Sequence, residues 1–168
     1  VVSISPSLDE DRDLSKPHKL ITNLRLSSEG SKVYSEAMVF GQEIANELID
    51  SDHLAYQVVL PFNTGRDFNE SPTQSPSRWC IDFRTMPLAE VREHWPNVLA
   101  YVEKYVRPER EQVSDKSARE LWWQHQRPRP ELYEQARKLK RVLCRALVTN
   151  VWGFVFVTPD QVFANKLT

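Results

Sequence analysis

The chain has 168 residues, 40% of them hydrophobic and 27% charged, which is enough apolar material for one packed domain and too much for wholesale disorder. Glycine is scarce at 4 and proline plentiful at 11, and neither glycine-rich nucleotide-binding pattern occurs, so a phosphate cradle of that kind is excluded. With 22 Lys+Arg against 23 Asp+Glu the net charge is −1, and bulk charge alone points to neither a nucleic acid nor a membrane.

Residues 1–19 show no apolar period and cluster Asp9, Glu10, Asp11 and Asp13, so they read as a flexible acidic arm. Residues 20–168 read as the folded domain. Loose alternation over 20–34, broken by Ser27-Ser28-Glu29-Gly30, predicts two short strands. Ile44, Leu48 and Ile49 fall at helical spacing and predict an amphipathic helix over about 42–50. Residues 57–62 predict a short apolar strand, 63–78 a long polar loop, and Trp79–Phe83 a second strand.

Pro87 fits the first position of a helix that Pro96 interrupts. Val98, Leu99, Val102, Tyr105 and Val106 form the stripe of the next helix, which Pro108 ends. Residues 131–140 predict a surface helix with Leu132, Ala136 and Leu139 inward. Strands over 142–148 and 153–157 follow, joined by a connector at 149–152. The pattern is α+β: mixed, mainly antiparallel short strands with several amphipathic helices.

Cys80 and Cys144 each sit in an apolar run and read as buried thiols. The N-terminus has no signal-peptide pattern and no run approaches a membrane span, so the expected setting is the cytoplasm, with no membrane partner. His18, His53, His94 and His125 show no metal spacing, and no metal is expected. The first residue is Val1, and both ends are expected to be cut from a longer parent.

Charge is unevenly distributed. Residues 107–145 hold eleven Lys/Arg against six Asp/Glu, a net of +5 that leaves −6 for the rest. Trp122, Trp123 and His125 are interleaved with those cations, a pattern suited to a polyanion or to a solvated helix with two core tryptophans. Two further readings stay open. The Trp-rich segment could serve a protein-interaction module, and Asp67, Glu70 and Asp82 near one polar loop could do acid/base work in a small hydrolase.

Several long stretches occur in a fixed order: Pro61–Asn69, Ser75-Pro76-Ser77-Arg78-Trp79, Arg107-Pro108-Glu109-Arg110, Trp122-Trp123-Gln124, Arg129-Pro130-Glu131-Leu132, Arg141-Val142-Leu143, Gln161-Val162-Phe163 and Lys166-Leu167. In this order they resemble the target recognition region of large bacterial adenine-specific DNA methyltransferases, including the single-chain restriction-modification enzymes of the MmeI-like group. The resemblance covers roughly 110 residues and implies a DNA target recognition domain over 20–168 that continues past Thr168.

The resemblance also implies a non-catalytic fragment. Methyl transfer, its donor S-adenosylmethionine and any nuclease would belong to other parts of the parent, so no catalytic residue or cofactor is expected here. The implied partners are double-stranded DNA and the methyltransferase domain of the same parent chain. Backbone holding falls to the basic segment: Arg107, Arg110, Lys116, Arg119, Arg127 and Arg129. Base readout falls, by matching, to the connector residues Leu147, Thr149, Asn150 and Trp152. Asn can pair bidentately with adenine, and Thr can meet a thymine methyl. Leu147 stands where relatives often carry Arg.

Overall fold

The computed structural model describes residue 21, residues 26–150 and residues 152–168, and the acidic arm expected at 1–19 lies outside them. Among the described residues, seven short α-helices and six short strands make an α+β fold.

The frame is a four-stranded sheet in the order β1-β3-β2-β6, from β1 (Val39–Phe40), β2 (Val59–Asn63), β3 (Arg78–Ile81) and β6 (Val162–Phe163). β3 runs antiparallel to both β1 and β2, with Val39 opposite Cys80 and Val59 opposite Ile81. β6 lies parallel to β2, with Phe62 opposite Val162. Pro61 is tolerated in this inner strand because β6 pairs only from Phe62 onward. The first half of the predicted strand pair at 20–34 lies largely outside the described residues; in the second half, Ser31 bridges Ala164 and Lys32 bridges Arg127. Gly30 makes that approach possible, since a Cβ there would lie 2.3 Å from the Phe163 carbonyl oxygen.

The sheet separates two cores. On one face Val58, Val59, Ile81 and Phe83 pack against α1 (Gln42–Ser51), α3 (Leu88–His94) and α4 (Pro96–Tyr105). α4 supplies Val98, Leu99 and Val102, each contributing about 1.5–3 kcal/mol on burial. Tyr105, expected on that stripe, is instead exposed, and Val106 is buried just past the helix end. α1 inserts Ala45 and Leu48 with Ile44 on its rim, a stripe rotated by one residue from the predicted one. Asp52 follows α1 and caps α4, accepting from the Val98 N–H at 2.8 Å and the Asn97 amide at 2.9 Å. Pro87 is the N-cap of α3, one residue outside the helix it was predicted to start.

Trp122 and Trp123 complete this core, 7% and 8% exposed, with the Trp123 indole N–H donating to the Met86 carbonyl at 2.9 Å. They stand behind α5 (Arg107–Glu111) and α6 (Lys116–Glu120). Both rings therefore lie in the interior of the chain, so an interaction surface on this segment would not be formed by the tryptophans themselves.

The other core gathers Phe62, Cys80, Tyr133, Cys144, Val162, Phe163 and Leu167. α7 (Pro130–Ala136) presents Tyr133 to it with Leu132 packed alongside, and Ala136 is also buried, while Leu139, predicted inward, lies past the helix and is exposed. The Tyr133 hydroxyl hydrogen-bonds Ser31 Oγ at 3.0 Å and accepts from the Phe163 N–H at 3.2 Å. Cys80 and Cys144 are both buried free thiols, as the apolar runs predict. Burial pushes the Cys80 thiol pKa well above its ordinary value and that of Cys144 up to about 11, so neither is a ready nucleophile. No helix among the described residues is long and apolar enough to cross a membrane.

Candidate functional site

The predicted loop at 63–78 contains α2 (Gly65–Glu70). Thr64 and Asp67 form a reciprocal capping box: Asp67 Oδ2 accepts from the Thr64 N–H at 2.8 Å and hydroxyl at 2.7 Å, and the Asp67 N–H donates to Thr64 Oγ1. Asp67 Oδ1 also accepts from the Ser77 N–H at 3.2 Å. Burial works against the Asp67 charge, but the hydrogen bonds from Ser77 and Thr64 outweigh it and hold the carboxyl below its ordinary range. From this fixed helix, Asn69 donates to the Val148 carbonyl at 3.0 Å and ties α2 to the connector.

The connector leaves a two-stranded antiparallel ribbon, β4 (Val142–Cys144) and β5 (Val155–Val157), with Leu143 opposite Phe156. Both strands are shorter than predicted because the chain changes partner. From Arg145 it pairs with the C-terminal segment: Arg145 N–H donates to the Thr168 carbonyl at 2.8 Å, Thr168 N–H to the Arg145 carbonyl at 3.0 Å, and Leu147 N–H to the Lys166 carbonyl at 2.8 Å. Residues 145–148, which lead into the connector, are thus held by residues 166–168 and by α2.

Strand periodicity sorts the ribbon's side chains. Cys144 and Ala146 point to the core. The outer face carries Arg141, Leu143, Arg145 and Leu147, beside Trp152, Phe154 and Phe156. Leu143 is 53% exposed, Trp152 78%, Phe154 50% and Phe156 55%. The Arg141 guanidinium lies 4.1 Å from the Phe156 ring centroid, and Arg145 lies 4.3 Å from Trp152 and 5.8 Å from Phe154. Cation–π contact of this kind holds the two guanidinium groups against the rings. Aromatic and apolar groups this exposed, side by side, mark an interaction surface rather than ordinary surface scatter.

Of the residues predicted for base readout, Leu147, Thr149, Asn150 and Trp152 all fall in the ribbon's end region, and Leu147, Asn150 and Trp152 are exposed. Arg141 and Arg145 were counted in the basic segment but given no role there. Their alternation with Leu143 and Leu147, facing Trp152, Phe154 and Phe156, is the pattern that marks them.

The six backbone-holding candidates divide. Arg110 is 0% exposed, donates from Nη2 to the Gln124 carbonyl at 2.9 Å and lies 5.5 Å from the Tyr34 ring centroid. A buried guanidinium cannot reach a phosphate, so Arg110 is a scaffold residue and that assignment is corrected. Arg107 is exposed, pairs with Glu111 at 2.9 Å and packs over Trp122. Lys116 pairs with Glu120 at 3.6 Å. Arg119 donates to the Val113 and Ser114 carbonyls, closing the turn before α6. Arg129 pairs with Glu29 at 3.2 Å from a left-handed backbone, φ 52°. Arg127 bonds Lys32 through its backbone and leaves its side chain exposed.

The three carboxylates considered for acid/base work have separate employments. Asp67 caps α2, Glu70 pairs with Arg66 at 3.0 Å, and Asp82 is buried with its Oδ1 3.6 Å from His125 Nδ1. Nothing in their surroundings forms a shared catalytic pair. The described glycines do not form a nucleotide-binding turn either: Gly30 is packed on backbone and Gly65 opens α2.

No protein-family model and no curated protein matches the sequence. Among solved structures, the chain is similar to part of the type IIL restriction-modification enzyme MmeI, solved in complex with DNA, at 18% identity and a TM-score of 0.60. The match covers 83% of this chain and 18% of that one, so this chain spans under a fifth of the length of the enzyme it resembles. The α+β architecture described above is thus shared with one segment of that enzyme.

Proposed function

We propose that this chain is a DNA target recognition domain from an adenine-specific DNA methyltransferase of a restriction-modification system. It holds duplex DNA and presents the connector to the bases of the target site. The observation that carries the reading is the outer face of the β4–β5 ribbon. Two stacked arginines, three exposed aromatic rings and the exposed Asn150 sit together on an element narrow enough for a major groove. The fold shared with a DNA-bound enzyme supports it.

The geometry supports a division of labour. Thr149 and Asn150 supply base-edge chemistry, and Arg141 and Arg145 supply charge beside them. Arg127 and Arg129, with Arg107, Lys116 and Arg119, supply weaker and sequence-independent attraction. Their effective charge is reduced where Glu29, Glu111 and Glu120 already pair with them.

The donor S-adenosylmethionine and the flipped adenine belong, on this reading, to a methyltransferase domain of the parent chain. No chemical step is assigned to this fragment. The test is duplex binding by fluorescence anisotropy as a function of salt. Binding at 50 mM salt that weakens steeply toward 200 mM is the expected result. No binding at 50 mM would mean that the isolated chain is not a competent reader.

A further inference from the structure

The ribbon joins charge of one sign to exposed ring area. Residues 135–159 hold Arg137, Lys138, Lys140, Arg141 and Arg145 and no Asp or Glu. Cations without a single carboxylate over that length complement a polyanion. On the same outer face Trp152 is 78% exposed, Phe154 50% and Phe156 55%. Charge therefore favours DNA as the occupant, and the rings decide which part of DNA is met.

The three rings are not equivalent. Arg141 covers Phe156, its guanidinium 4.1 Å from the ring centroid. Arg145 lies 4.3 Å from Trp152, and Phe154 stands nearly perpendicular to that ring, the planes at 82° and the centroids 6.1 Å apart. These two contacts hold the orientation of the indole and still leave most of it in solvent. Gly153 keeps the space beside it open, since a Cβ there would meet nothing within 4 Å.

Base edges present hydrogen-bond donors and acceptors. Phenylalanine has no matching polar atom and tryptophan has a single N–H, so such rings gain little from edges. They gain from a base face, which stacks on an aromatic plane whatever its sequence. In a continuous duplex both faces of every base are covered by its neighbours. A face becomes available only where a step is opened or a nucleotide has left the stack, as in base flipping.

We propose that Trp152 stacks on a base face exposed where the duplex is opened, so that the ribbon binds DNA more tightly in a locally unstacked form than fully paired. This deepens the recognition reading above and rests on it for the choice of DNA. Trp152 supplies affinity, Arg141 and Arg145 supply charge toward the flanking phosphates, and Thr149 and Asn150 keep the choice of base.

The test uses the 168-residue chain unsubstituted and as Trp152→Leu and Trp152→Phe. Two duplexes of one sequence serve as probes, one fully paired and one carrying a single unpaired 2-aminopurine. Anisotropy gives both affinities. The unsubstituted chain is expected to bind the bulged duplex about tenfold more tightly, on the order of one base–aromatic stack, and to quench the 2-aminopurine emission. Trp152→Leu is apolar but has no stacking plane. It should bind the two duplexes about equally and leave the emission unchanged. Trp152→Phe should restore most of the preference and of the quenching. All three chains should share one melting temperature, because the ring is exposed.

Paired-duplex binding with no preference for the bulge, with a preference that Trp152→Leu retains, or with unquenched emission overturns the stacking role and leaves the recognition reading standing. Binding of the bulged duplex that depends on Trp152, with none of the paired one, supports stacking and overturns the reading of intact duplex. No binding of either duplex overturns both.

Discussion

The guanidinium of Arg145 lies 4.3 Å from the centroid of the Trp152 ring, and that ring is 78% exposed to solvent. A tryptophan left in water contributes little to folding. Its contact with Arg145 is worth about 0.5–1 kcal/mol at an exposed site. Trp152→Ala is therefore expected to shift the free energy of unfolding by no more than about 0.5 kcal/mol while weakening duplex binding several-fold. Chemical denaturation and anisotropy on one preparation check both halves. A loss of stability with unchanged binding would place the ring in the fold and out of the interface.

Thr149 and Asn150 are expected to control preference rather than overall affinity. Asn150→Ala should alter the ranking of a randomised duplex pool, with discrimination at the affected position changing by about 1–3 kcal/mol. An unchanged ranking removes Asn150 from readout. By contrast, Arg127→Ala combined with Arg129→Gly should weaken all sequences alike, glycine being chosen because residue 129 has a φ of 52°.

Arg110 supplies a control inside the same basic segment. Arg110→Ala should destabilise the chain by about 2–4 kcal/mol through cavity formation and the orphaned Gln124 carbonyl. Arg110→Met fills most of the volume and removes two buried nitrogens that lack partners, though it too orphans the Gln124 carbonyl, so it is expected to cost less than Arg110→Ala. Neither variant should change the salt slope of duplex binding. A shallower slope for Arg110→Met would show that the guanidinium reaches DNA after all.

Asp67→Asn should cost about 1–2 kcal/mol, because the cap of α2 and the acceptor for Ser77 are both weakened. The carboxyl pKa is depressed on folding from its ordinary 3.8. Its contribution is therefore fully present above pH 3.8 and lost as pH falls through the lower folded value. Denaturation midpoints between about pH 5 and pH 2 should fall less steeply for Asp67→Asn than for the parent sequence. Parallel curves would mean that the carboxylate charge does not matter to the cap.

Gly30→Ala tests the seam between the two ends of the described chain. The added methyl would meet the Phe163 carbonyl oxygen at 2.3 Å, and that oxygen belongs to backbone that cannot rotate away. A loss of about 1–3 kcal/mol is expected, read as a lower melting temperature.

Periodic stretches were legible in the sequence and non-local ones were not. The stripe Val98, Leu99, Val102, Tyr105 and Val106 announced α4, with only Tyr105 misplaced, because the signal is confined to a few turns of chain, and Pro96, read as interrupting the helix before it, is the first residue of α4. α2 was missed although Thr64 and Asp67 spell its capping box, since serine, threonine and proline around them suggested a loop. The splitting of the 142–148 strand had no local signal, because its new partner lies some twenty residues further on, at 166–168. The role of Arg110 was misjudged for a related reason. Net charge reports how many cations a segment holds, and only the packing of Tyr34, Gln124 and Trp122 decides which of them meet solvent. The stacked pairs of Arg141 and Arg145 needed strand register as well as composition.

The exchange of partners at Arg145 bears on how such a reader could be re-engineered. Transplanting the β4–β5 ribbon alone into another scaffold would carry the proposed base-contacting residues but leave behind Lys166 and Thr168, whose backbone holds Arg145 and Leu147. It would also leave Asn69, which anchors Val148. The smallest portable unit is therefore discontinuous: the ribbon, residues 162–168 and the capped helix α2. A chimera that moves all three should inherit the donor's sequence preference, and one that moves only the ribbon should bind with little discrimination.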